Sequence, residues 1–213
     1  MAKLTGGQAI VRTLTNHGVD TIFGLPGVQL DNTFDALYEA RNTIRTIHTR
    51  HEQGAAYMAL GYAQSSGKVG ACIVGPGPGL LNAGAALATA AASNAPVLCI
   101  GGQLPSSQIG GGVGMTHEIR DQSAAMRGVA KWVGRAESAA DAPGVLQDAF
   151  RQMLETRHQP VVFEMAPDVM GSEEYVDLRD VQDYDGSAQP EVDTLDKAAA
   201  LLGQAGKPAI FVG

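Results

Sequence analysis

The sequence predicts an α/β fold: a doubly wound, mostly parallel sheet of six strands with helices on both faces. Two observations carry this. Short apolar runs alternate with helix-period segments, as they do when helices cross over a parallel sheet. The composition, 45% hydrophobic and 17% charged with 27 glycines and 5% aromatics, describes a body of small apolar residues, as in closely packed α/β proteins. At 213 residues the chain is a little longer than one typical domain and can bury a sizeable core, which excludes a disordered chain, collagen and a coiled coil.

The elements follow in order. Thr5 with Gln8 three residues on forms a capping box for a helix through Val11, Leu14 and His17. A short strand over 21–23 meets the breaker GLPG (24–27), and Leu30, Phe34 and Leu37 give the next helix its apolar stripe. Residues 44–48 read as a strand, 52–64 as a long helix and 69–74 as a continuous apolar strand. The loop GPGPG (75–79) opens an Ala-rich helix over 80–92. Strands over 96–100, 131–135 and 161–165 complete the six, with a helix over 142–156 before the last.

Residues 1–167 are thereby expected to form one domain. From Asp168 to Asp193 nine acidic residues stand against Arg179 alone, and with Gly171, Gly186, Ser187 and Pro190 the stretch 168–193 reads as an acidic linker or a surface crossing. Residues 194–213 offer a helix over 195–204 and an apolar strand over 208–212 with no partner left in the chain. That is the expected start of a second domain cut short.

The net charge of −7 arises in that acidic stretch, so no basic face is available for nucleic acid. Cys72 and Cys99 both lie in apolar runs and read as buried thiols of a reducing compartment. The start, MAKLTGGQAIV, has no apolar signal region, and the chain is expected to be cytoplasmic. From Val69 to His117 there is no Asp, Glu, Lys or Arg, yet Gly75, Pro76, Pro78 and Pro96 interrupt the run well below the roughly 18 apolar residues of a spanning helix. It reads as a buried centre, with no membrane partner.

In doubly wound sheets ligands bind beyond the carboxyl ends of the strands. GLPG, RHEQ (50–53) and GPGPG all fall there. The plain reading of GLPG is a tight turn, stiffened by Pro26. Glu52 begins a helix of small residues, where Ala55, Ala59 and Ala63 stack at i, i+4 spacing so that another helix can lie close to its backbone. Glu52 is then expected to be buried at a helix–helix contact, and the plainer reading is a helix-N-terminal acid stabilised by about 0.3–1 kcal/mol. GPGPG is a poor phosphate loop, since Leu80 stands where GxGxxG needs glycine. It reads instead as a rigid turn that presents carbonyls and the Asn82 amide to a flat ligand.

Residues 101–117 carry six glycines, and Gln103, Gln108, His117, Glu118, Asp121 and Gln122 supply polar groups in or just after them. A loop of this kind at a strand's carboxyl end suits a substrate-facing lid. The spacing of His117, Glu118 and Asp121 fits no zinc pattern, and no metal ligand is expected in the chain. His17, His48, His51 and His158 default to structural or surface roles.

In TIFGLPG (21–27), TRHEQGAAYMALGYAQSSGKVGACIVGPGPGLLNA (49–83), NAPVLCIGGQLP (94–105) and the closing KPAIFVG, the sequence resembles the N-terminal, pyrimidine-binding domain of thiamine-diphosphate-dependent enzymes of the acetolactate synthase and 2-oxoacid decarboxylase group. The likeness covers essentially the whole chain. The resemblance implies that Glu52, in the family's RHE position, is the catalytic group, hydrogen-bonding a pyrimidine ring nitrogen of thiamine diphosphate and relaying a proton there. Burial, which raises a carboxylate's pKa, would suit it to that exchange. Pro26, Gly27, Gly75 and Asn82 would line the pyrimidine pocket with it.

The same resemblance implies a lyase or transferase acting on a 2-oxoacid or related acyl donor. The diphosphate and its Mg²⁺ belong to a second domain bearing a GDG motif, to which YDGS (184–187) here is the nearest string. That domain is the implied partner, in the same longer chain or in another subunit of a dimer or tetramer, and this chain alone would be inactive. Whether FAD is present is left open. Acetolactate synthases carry a Phe-Gln pair where this sequence has Gly114 and Met115, so their aromatic wall is missing, and His117 or Gln122 takes related space toward the substrate. Two alternatives stand beside this reading: a non-catalytic Rossmann-like nucleotide-binding module, and a dimerisation module built on the Ala55, Ala59 and Ala63 stripe.

Overall fold

The capping box at Thr5 is formed in the computed structural model, which describes residues 1–182, 184 and 190–211. The Gln8 backbone N–H donates to Thr5 Oγ1 and Gln8 Oε1 accepts from Thr5 N, both at 3.1 Å, and so start helix α1 (Gly6–Asn16) behind strand β1 (Ala2–Thr5). Next come β2 (Thr21–Gly24), α2 (Asp31–Glu39), β3 (Arg45–His48), α3 (Glu52–Ser66), β4 (Gly70–Val74), α4 (Pro78–Ala92) and β5 (Val97–Gly102). The chain continues through α5 (Gln122–Arg127), β6 (Trp132–Ala136), α6 (Ala142–Leu154) and β7 (Val161–Met165), then α7 (Pro167–Gly171), β8 (Glu173–Val176) and α8 (Val192–Gln204).

Six strands pair in parallel in the order β3-β2-β4-β5-β7-β6, the α/β sheet with helices on both faces that the alternation predicts. Side chains alternate across it. Ile22, Ile73, Ile100 and Phe163 point into one core with Ile10 and Leu14 of α1, Leu37 of α2 and Phe150 of α6. Phe23, Cys72, Cys99 and Val162 point into the other, against the alanines of α3 and α4. Each fully buried Ile, Leu or Phe is worth about 1.5–3 kcal/mol.

On the second face the packing is unusually close because the side chains are so small. A methyl group on Gly70 would overlap the carbonyl oxygen of Ala59, so the α3 backbone rests on the first residue of β4. Ala55, Ala59 and Ala63 are fully or almost fully buried there. The stripe expected to serve a dimerisation module is therefore taken up inside the chain, and that support for the alternative is withdrawn. Cys72 and Cys99 face each other in register across β4 and β5, both buried and both free thiols.

Four short elements, β1, α5, α7 and β8, escape the sequence pattern. β1 pairs antiparallel with β8, Ala2 opposite Val176, with a Lys3–Glu173 ion pair of 2.6 Å at the surface. The acidic stretch after Pro167 thus begins with a helix and a strand that dock on the domain, while Asp185, Gly186 and Ser187 of YDGS lie outside the described residues. α8 forms where a helix is expected, with no buried residue. The strand expected over 208–212 is not present at 208–211, and Val212 lies outside the described residues. No described helix is long and apolar enough to cross a membrane.

Candidate active site

The chain runs from β2 outward to β3, then returns to place β4 on the other side of β2. This reversal of winding is the topological switch point, where the loops after adjacent strands diverge and leave a crevice. GLPG follows β2, RHEQ follows β3 and GPGPG follows β4, so the topology delivers all three motifs to the same end of the sheet. Gly24 lies so close to the Ile73 side chain and carbonyl that a Cβ would collide with both. Leu25 N donates to Ile73 O at 3.2 Å and Thr49 N to Gly24 O at 2.8 Å, locking the three strand ends together. Gly27 and Gly75 are different: a Cβ on either would touch little or nothing. Their backbones face open space beside the half-exposed GLPG turn.

Glu52 is the first residue of α3. His51 caps the helix, its Nδ1 accepting from Gln53 N at 3.2 Å. Asn82 lies in the second turn of α4, and its Nδ2 donates to Glu52 Oε2 at 2.9 Å. Glu52 Oε1 lies over Gly79, 3.5 Å from where a Cβ would sit, and has no hydrogen bond among the described residues. The burial expected of Glu52 at a helix–helix contact is only partial: the side chain is half-buried, and it stands in the first turn of α3 as the plainer reading has it. The small stripe on α3 faces the sheet and α4, whereas Glu52 emerges at the helix end, where the crevice opens.

The GPGPG loop is held from its far side. Gly77 has φ +55, and a Cβ there would run into the His117 carbonyl, so no other residue fits. Its N–H donates to Gln122 Oε1 at 2.6 Å, while Gln122 Nε2 donates to the Gly102 carbonyl at 3.0 Å. Gln122, expected near substrate, is buried, and both ends of its amide are engaged by backbone. It supports the loop from behind. His117 is exposed and faces Gln29, whose Nε2 donates to His117 Nδ1 at 3.1 Å. Sequence reasoning passed over Gln29; its place in the turn after GLPG was the available signal.

Both acids near His117 accept from backbone amides. Asp121 caps α5 by accepting from Ala124 N at 2.9 Å. Glu118 accepts from the amides of Gly112, Gly114 and Met115, and these hold its carboxyl below the usual carboxylate range, the Met115 amide most strongly. Two cavities flank the crevice. One of about 230 Å³ lies among Gln103, Ile109, Gln122 and Arg135. The other, about 470 Å³, opens between α2 and the edge strand β3, past Pro26, Arg41 and His48, and Glu52 does not line it.

A family model described as "Thiamine pyrophosphate enzyme, N-terminal TPP binding domain" matches residues 4–125. Among curated proteins, the chain is 37% identical over 211 residues to the "Probable 2-ketoarginine decarboxylase AruI" of Pseudomonas aeruginosa, covering 99% of this chain and 37% of that protein. It is 33% identical to the acetolactate synthase large subunit of Corynebacterium glutamicum, over 99% of this chain and 34% of that one. With the large subunit from Haemophilus influenzae the identity is 34%, over the whole chain and 37% of the relative. The chain spans about a third of the length of these relatives.

Proposed function

Because this chain belongs to the thiamine pyrophosphate enzyme family, through the N-terminal TPP-binding domain of that family, we propose that it supplies the pyrimidine-binding half of a lyase or transferase acting on a 2-oxoacid or related acyl donor. The observation that carries the reading is the state of Glu52. One carboxylate oxygen is fixed by Asn82, and the other is uncommitted at the mouth of the switch-point crevice. The donor set fits the pyrimidine of thiamine diphosphate. A carboxyl that gives and takes a proton at one oxygen suits a ring nitrogen, and the open backbone at Gly27 and Gly75 leaves room for a flat ring. When bound, that cofactor supplies an acidic ring carbon and an electron sink for carbon–carbon bond cleavage.

The chain's own residues then have defined tasks. Glu52 Oε1 holds and exchanges the proton at the ring nitrogen, while Asn82 orients the carboxyl by occupying Oε2. Pro26 and Gly27 form one wall and Gly75 the other. His117 stands on the substrate side. The diphosphate and its Mg²⁺ fall to the part of the enzyme beyond this chain's match, in the same polypeptide or a partner subunit of a homo-oligomer. This chain's share is the sheet domain, which extends past residue 167 because α7 and β8 dock on it. With Gly114 and Met115 in place of an aromatic wall, the acyl site is roomier than that of an acetolactate synthase. A donor with an extended side chain suits it, in keeping with the name of the Pseudomonas relative.

The test is Glu52→Gln in the complete enzyme. Turnover of 2-oxoacid is expected to fall by about a hundredfold to ten-thousandfold, with thiamine diphosphate still bound in calorimetry through its diphosphate end. A variant that keeps wild-type turnover refutes the reading.

A further inference from the structure

The segment between β5 and α5 is rich in glycine yet folds back onto the site. Gly110, Gly112 and Gly114 take left-handed φ values of +75°, +66° and +77°, and His117 joins them at +71°. A left-handed histidine is strained by roughly 1–2 kcal/mol and persists only where its surroundings impose it. Those surroundings are well defined. The His117 carbonyl is pressed against Gly77 of the loop after β4, and its ring accepts from Gln29 in the turn after β2, so residue 117 bridges the two walls of the crevice.

Holding that bridge is the adjacent side chain. Glu118 Oε1 accepts from Gly112 N at 2.7 Å, and Oε2 accepts from Gly114 N at 2.6 Å and Met115 N at 2.9 Å. Three amides converging on one carboxylate form the kind of concave nest that glycine-rich turns offer to anions. Without it, glycines able to adopt many conformations would have little to fix them. No other acid is near enough in sequence to substitute: none precedes Glu118 back to Val69, and Asp121 is engaged at the α5 cap.

We infer that Glu118 is a positioning residue, whose carboxylate gathers residues 112–115 into a closed turn and thereby sets His117 across the mouth through which the acyl donor enters. The inference rests on the functional reading above for what enters that mouth; the clamp itself is a property of this chain. Glu118→Ala empties the nest and leaves space that formate can fill. Glu118→Gln keeps the shape and one accepting oxygen, but its NH2 group cannot accept, so at most part of the clamp survives.

Hydrogen exchange on the 213-residue chain, without cofactor or substrate, decides the clamp. In Glu118→Ala, exchange at Gly112, Gly114 and Met115 is expected to rise about tenfold or more, with β4 and β5 unchanged and formate restoring protection. Should Glu118→Ala fold poorly, Glu118→Gln gives the same reading with a smaller rise. Unchanged exchange in a folded variant overturns the inference. In the complete enzyme the same variants are expected to raise KM for the 2-oxoacid about tenfold, with kcat and cofactor affinity nearly intact and formate lowering KM again. A loosened turn with an unaltered KM also overturns it. If the wild-type enzyme turns over no 2-oxoacid, the functional reading fails while the exchange result still stands.

Discussion

Asn82 Nδ2 donates to Glu52 Oε2 at 2.9 Å, joining the first turn of α3 to the second turn of α4 across the mouth of the crevice. The bond leaves the other oxygen as the one position of the carboxyl that is open. Asn82→Ala removes the orienting donor, and a hydrogen bond to a charged group is worth about 1.5–3 kcal/mol. Turnover by the complete enzyme is expected to drop by about tenfold or more, whereas the melting temperature of the domain stays within a degree or two because Asn82 is exposed. Steady-state kinetics beside a thermal melt checks both halves.

The contact of Gly70 with the Ala59 carbonyl predicts a packing effect far from any ligand. Gly70→Ala forces α3 off the sheet and is expected to destabilise the fold by about 1–3 kcal/mol. A urea midpoint equal to that of the wild type would show that α3 has slack that the structure does not contain.

Glu164 on β7 is fully buried, with Oε2 held by the Arg135 guanidinium at 2.8 Å and by Ser123 at 2.9 Å, while Oε1 has no partner among the described residues. Arg135→Met leaves that charge uncompensated and is expected to cost about 3–5 kcal/mol. Adding Glu164→Leu removes the charge and is expected to recover most of the loss. A double-mutant cycle in urea measures the recovery, and additive losses would exclude the coupling.

Asp20 predicts a pH effect. Its carboxylate accepts from Lys68 at 2.6 Å and from Tyr62 at 2.5 Å, and these bonds lower its pKa to about 2. A carboxyl lowered in the folded state stabilises the fold above its unfolded pKa of roughly 4, and the contribution disappears as pH falls through the folded value of about 2. Wild type is therefore expected to melt slightly above Asp20→Asn at pH 6, the gap closing between about pH 4 and pH 2. Because Asp20 is only half-buried, solvent screens the pair and the gap is small. Melting curves of both proteins over that range test it.

Much of this architecture is written locally. All six strands of the main sheet follow from their apolar runs, and Thr5 with Gln8 starts α1 as its spacing requires. What stays hidden depends on distant partners. β1 and β8 are four residues each, and Glu173–Val176 is a strand only because Ala2–Thr5 lies beside it. α5 sits in a polar region with no periodic stripe, and its place is set by Gln122 reaching Gly77 and Gly102. At the site, Glu52 and Asn82 are each legible from their motifs, but their bond is not, because it depends on how α3 and α4 cross. The half-burial of Glu52 was misjudged for the same reason: small neighbours indicate a close contact, not which end of the helix it covers.

Neither GLPG nor the run from Gly75 to Asn82 brings an ionisable side chain to the crevice. A ligand lying between these two walls therefore meets only backbone and neutral side chains there, and the carboxylate that reaches it comes from a third element, the start of α3. Shape is supplied by two loops and charge by a helix end, so either can be altered without rebuilding the other.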